Sequence, residues 1–136
     1  MRKCIVLSVL FVVVLLGGCQ SKTDESILSQ QSGDIKEVKL ADFIGLDAFN
    51  ENFDKEYTKT EDIDVFKKGF QQAEEKKYDI EKYDYNIKIT LSDGTDRDLH
   101  LTKNDQDEIV LKYIGDSTDT YVIDPKHSSE IIKLIY

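Results

Sequence analysis

The chain has 136 residues, with 18 basic and 27 acidic side chains, a formal net charge of −9 and two cysteines. That length gives room for one domain. The negative balance repels nucleic acid and anionic lipid headgroups, so nucleic acid is excluded as a partner.

Arg2 and Lys3 precede an apolar run from Ile5 to Leu16 whose only polar member is Ser8. A membrane span needs roughly 20 apolar residues; this run is shorter and ends in small residues, the pattern of an export signal. Leu16-Gly17-Gly18-Cys19 matches a lipobox. Residues 1–18 therefore read as a lipoprotein signal peptide, cleaved between Gly18 and Cys19. Cys19 would become the lipidated N-terminus, held in the cell membrane by a diacylglycerol or acyl anchor on the extracytoplasmic side. Cys4 leaves with the signal, so the domain beyond Cys19 has no thiol for a nucleophile, a disulfide or a Cys-based metal site. Without Arg2 and Lys3, 16 basic residues face 27 acidic ones, a net charge of −11.

Residues 19–33 comprise the lipidated Cys and a polar stretch rich in Ser and Gln, which reads as a disordered tether. The domain proper spans 34–136. Ile35 to Leu46 predicts a strand or two short ones, with Val38 and Leu40 alternating against Lys39. Phe49, Phe53 and Tyr57 lie four apart, which suits a helical turn, while the charges between them also suit a loop or strand; residues 48–59 stay open. Thr60 to Lys77 predicts a helix: Thr60 can cap, Glu61, Asp62 and Asp64 favour the first turn, and Ile63, Val65, Phe66, Gly69, Phe70 and Ala73 share one arc. Gly69 in that arc would let the helix approach a sheet closely. Tyr83 to Leu91 alternates with period two, Asp93-Gly94 supplies a hairpin turn, and strands follow at 97–102, 109–114 and 120–123. Asp124-Pro125 opens a last helix with Asp as cap.

The order strand, helix, four strands, helix gives an α+β domain. Its antiparallel meander would carry two helices on one face and leave the other to solvent. A curved sheet of the TATA-binding-protein-like type fits this order as a topological analogy, which carries no function.

The lipobox at Cys19, the segment Asp62-Ile63-Asp64-Val65-Phe66-Lys67-Lys68, Tyr85-Asn86-Ile87 leading to Asp93-Gly94, and Asp119-Thr120-Tyr121-Val122-Ile123 before an apolar helix together resemble small lipoproteins of low-GC Gram-positive bacteria, the YhfM type. The resemblance covers most of 35–136. It implies a single-membrane cell with the domain facing the wall, and it supplies no catalytic residues.

Site chemistry is sparse. His100 alternates with Leu99 and Leu101 and would point to solvent; His127 sits in the first turn of the last helix. A metal pair would need the two to converge with a carboxylate. Asp93, Asp96, Asp98 and the run Asp105-Gln106-Asp107-Glu108 offer oxygens but lack the EF-hand pattern, and Asp is at home in turns for backbone reasons. Tyr83 and Tyr85 would pack on the apolar face of their strand, leaving Tyr78 as the freer stacking candidate. No G-x-S-x-G, Walker or G-x-G-x-x-G motif occurs. The expectation is thus no metal, no cofactor and no catalytic residue: not an enzyme, but a non-catalytic interaction module meeting an envelope protein or wall polymer. A small-ligand or divalent-cation-binding lipoprotein is the alternative, and a cell-wall-modifying enzyme stands behind both.

Overall fold

In the computed structural model, residues 34–115 and 119–136 are described. The lipobox, Cys19 and the tether fall outside them. Strands β1 (Ile35–Asp42), β2 (Lys55–Tyr57), β3 (Glu74–Glu75), β4 (Tyr85–Leu91), β5 (Asp96–Lys103), β6 (Ile109–Tyr113) and β7 (Thr120–Ile123) join in one antiparallel sheet, ordered β2-β1-β4-β5-β6-β7-β3. Helices α1 (Thr60–Gln71) and α2 (Pro125–Ile135) cover one face. The α+β class and the β4–β7 meander are as expected. Two short edge strands, β2 and β3, are added.

Alternation along the strands sets the main core. Val38, Leu40, Ile87, Ile89, Leu99, Leu101, Ile109, Leu111 and Ile123 are fully buried, and Phe66, Phe70, Ile131 and Ile135 pack onto them from the helices. Burying such side chains contributes roughly 1.5–3 kcal/mol each. Among the described residues, every buried apolar residue lies between Ile35 and Ile135, and a domain of this size can supply such a core.

Helix α1 ends at Gln71, six residues before the expected Lys77, because Glu74 and Glu75 pair with Val122 and Tyr121 of β7. The open sheet edge outcompetes a last helical turn whose one apolar residue is Ala73. Lys59, not Thr60, stands at the N-cap, and no side chain caps there. Gly69 does mark a close approach, but to α2 instead of the sheet: a Cβ on it would lie 2.3 Å from Ile131 Cδ1.

Helix α2 starts as expected, with Asp124 accepting the His127 N–H at 2.8 Å and Pro125 in the first turn. Buried Ser128 donates to the Ile123 carbonyl and accepts from the Ile109 N–H, fastening this end to β6 and β7. At the far end Lys55 Nζ donates to the Ile135 carbonyl at 2.7 Å, and the Tyr57 hydroxyl donates to the Leu134 carbonyl at 3.0 Å. These groups satisfy carbonyls that a helix C-terminus leaves unpaired, and a cation there suits the macrodipole.

The second face is not left to solvent. Residues 43–54 form a loop across it, and Phe43, Leu46 and Ile80 pack against buried Tyr83, Val110 and Val122 in a smaller core. Phe49 and Phe53 therefore belong to a loop; their rings lie 5.5 and 5.9 Å from Lys88 Nζ.

Overpacking at the helix crossing tests this arrangement. Gly69→Leu should destabilise the domain by about 1–3 kcal/mol in urea unfolding. An unchanged midpoint would mean that the helices do not meet there.

Candidate functional site

The close approach at Gly69 leaves a cleft of about 320 Å³ beside it, lined by Val65, Lys68, Gly69, Lys126, His127 and Glu130. This lies at the low end of ligand-pocket sizes, roughly 300–1,000 Å³. Its floor is apolar at Val65 and Gly69, and its rim is charged. His127 Nδ1 lies 2.8 and 2.9 Å from the two carboxylate oxygens of Asp124. Asp124 thus caps α2 and also orients the imidazole, fixing the proton on Nδ1 and leaving Nε2 as the acceptor. The backbone N–H of His127, followed by its side chain, holds the Asp124 carboxyl below the usual carboxylate range.

A second hollow of about 300 Å³ lies at the start of α1, between Asp34, Ile35, Lys36, Thr58, Thr60, Ile63, Asp64 and Lys67. Lys67 and Asp34 pair across it at 2.5 Å, which spends its main charges on each other.

The other chemically dense place is buried. Asn86, His100, Lys112 and Thr120 are successive cross-strand neighbours, forming one row on the face away from the helices. His100 is 0 % exposed, stacked on Tyr83 and met edge-on by Phe43. Its Nε2 lies 2.9 Å from the Leu46 carbonyl and its Nδ1 2.8 Å from the Asn86 amide. Burial pushes the imidazole below its ordinary range, against the opposing pull of the Leu46 carbonyl. A neutral ring has one donor and one acceptor. Nε2–H donates to Leu46, so Nδ1 accepts, and the Asn86 amide must present its NH₂ group. Both nitrogens are committed, and His100 pins the 43–54 loop to the sheet.

Several expectations are thereby corrected. His100 points into the second core and not to solvent, because the loop covers its face. Tyr83 precedes β4 and packs beside His100, whereas Tyr85 stays on the helix side, so the two do not share a face. His100 and His127 lie on opposite sides of the sheet and form no pair. Tyr78, 36 % exposed, donates to Glu108 at 3.3 Å.

The acidic loops are occupied by turn chemistry. Asp93 accepts from the N–H and hydroxyl of Thr95, and Asp96 accepts from Thr90 at 2.8 Å. Asp98 lies 3.9 Å from Lys88. In the 104–108 turn the Asn104 side chain accepts from the N–H groups of Gln106 and Glu108. Among the described residues, no group of three His, Cys, Asp or Glu side chains is arranged to hold a metal ion.

The Asp124–His127 pair was the residue set that sequence reasoning missed. Its signal was present as a capping Asp with His three residues on, which places ring and carboxylate over the same first turn.

No protein-family model and no curated protein matches the chain. Among solved structures, the fold is similar to a thioesterase-like protein from Clostridium sporogenes ATCC 15579, with a TM-score of 0.60 and 14% identity over 74% of this chain and 94% of that one. At that identity the likeness is one of fold. It nonetheless overturns the expectation that the chain is not an enzyme: a domain of this architecture is described as thioesterase-like, so missing motifs do not place this one outside enzymes.

The loop pin gives a pH prediction. A histidine whose folded pKa is lowered stabilises fully above its unfolded value, near 6.5, and that contribution falls away as pH drops below it. Urea unfolding at pH 7.5 and 5.5 should show the parent losing more stability than His100→Gln. Equal losses would mean that His100 is not held neutral.

Proposed function

We propose that this chain is a bacterial envelope lipoprotein, held at the extracytoplasmic face of the cell membrane through Cys19, whose domain takes a small ligand between α1 and α2. The lipobox supports the anchor. Among the described residues no helix is long and apolar enough to cross a membrane. The single observation behind the ligand reading is the cleft, where an apolar floor meets charged groups and an imidazole aimed by a carboxylate. Convergent polar groups over an apolar surface are what small-molecule sites share.

A second reading is hydrolysis of an acyl ester or thioester, favoured by the likeness to the thioesterase-like fold together with the Asp124–His127 pair. His127 Nε2 would take a proton from water as the oxygen attacks the acyl carbon. The carbon–sulfur or carbon–oxygen bond then breaks, and the leaving group receives the proton from the imidazolium that Asp124 steadies. Lys68 or Lys126 would face the charge developing on the carbonyl oxygen.

Three outcomes are expected. Cys19→Ala expressed in a lipoprotein-processing bacterium should take up no fatty-acid label and keep its signal; normal acylation would overturn the anchor. Val65→Arg, which fills the cleft, should abolish the NMR shifts that small molecules from an envelope extract produce at Gly69 and His127. Shifts that persist would place ligand elsewhere. If the hydrolase reading holds, His127→Gln should slow acyl-thioester hydrolysis about 10²–10⁴-fold without moving the melting temperature, since Asp124 accepts the backbone N–H of residue 127.

A further inference from the structure

Charge around the α1–α2 cleft runs against the balance of the chain. Acidic residues outnumber basic ones 27 to 18, and several lysines have acidic neighbours: Lys39, Lys67, Lys88, Lys103 and Lys133 all stand in ion pairs. Lys68 and Lys126, on facing sides of the cleft, form none among the described residues. Glu130 on the rim pairs with Lys133 at 3.0 Å, and the Asp124 carboxylate stands behind the rim, bonded to the His127 imidazole. The rim therefore offers two ammonium groups and an imidazole. Beneath them the apolar lining is Val65 and the Gly69 backbone, with the Ile131 side chain packed into the space that a side chain at residue 69 would take.

Building on the ligand reading above, we infer that the cleft holds an anionic amphiphile: an unbranched acyl chain laid against Val65 and the lysine stems, with a carboxylate or phosphate head between Lys68 and Lys126. The apolar floor has no partner for a polar chain, and the rim selects a negative head. A long stem lets each lysine cover the acyl chain while its ammonium reaches the head. Charge reversal on the rim should therefore act on head recognition, and filling the floor on chain length.

The test uses residues 20–136, which hold every buried apolar residue found among the described residues. Decanoate, decyl phosphate and decanol are titrated against the domain, and binding is read from NMR shifts at Val65, Gly69 and His127. Decanoate and decyl phosphate should bind at least ten-fold more tightly than decanol. Lys68→Glu combined with Lys126→Glu should remove that preference while leaving the thermal midpoint close to the parent's, because both side chains are exposed. Shortening the chain to butyrate should weaken binding further. Equal binding of decanol, or a preference that survives the double reversal, overturns the inference. If none of the three probes shifts the cleft while a different ligand still does, this inference falls and the ligand reading stands. If Val65→Arg leaves every extract-induced shift intact, the ligand reading falls with it.

Discussion

The contact that organises the helix layer is the one between Gly69 and Ile131. A side chain at residue 69 would drive α2 away from α1, and Ile131 would no longer reach the sheet at full depth. With glycine there, α2 settles low enough for Ser128 to bond both β6 and β7, and for its last carbonyls to meet Lys55 and Tyr57. The cleft follows from the same geometry. Two helices that touch at a glycine diverge beyond it, and the first turn of α2, with Asp124 and His127, borders the space that opens.

On the other face the constraint is polar. A sheet row carrying Asn86 and His100 could have faced water, but the 43–54 loop crosses it and buries both. Burial of a neutral imidazole is tolerable when each ring nitrogen has a partner, and here the loop's own Leu46 carbonyl supplies one. The loop is thereby fixed at one polar point inside an apolar contact, with Phe43 and Tyr83 closing around the ring. The two faces of the sheet do different work: one carries the large core and the cleft, the other a smaller core with a single buried histidine.

Much of this was legible from residue patterns. Period-two alternation in Tyr85–Leu91 and the Asp93-Gly94 turn place a hairpin, and Gly94 indeed has a positive φ of 89°. Asp124-Pro125 marks the start of α2 because a capping oxygen and a proline that needs no donor belong side by side. The parts that escaped depend on distant chain. Glu74 and Glu75 have no strand pattern of their own; they are strand because β7 has an unpaired edge beside them. His100 looks solvent-facing by alternation, and it is buried by Tyr83, which lies ahead of β4, and by the 43–54 loop, whose Leu46 is 54 residues earlier. The cleft was invisible for the same reason, since Lys68 and Lys126 are brought together by packing and by nothing in their local sequence.

Helix α2 has a further consequence for the order of assembly. It follows all seven strands in the chain, yet it ties the β6–β7 side of the sheet to the β2 side through Ser128 at one end and Ile135 at the other. Until its residues are available, Ile109, Leu111 and Ile123 have no cover from that helix, and the sheet remains half-dressed. A chain made N-terminus first presents that sheet to its surroundings before it can close. Incomplete species of this kind expose apolar surface and strand edges and are prone to associate wrongly. The domain therefore has reason to fold late and all at once, with α2 acting as the strap that ends the vulnerable interval.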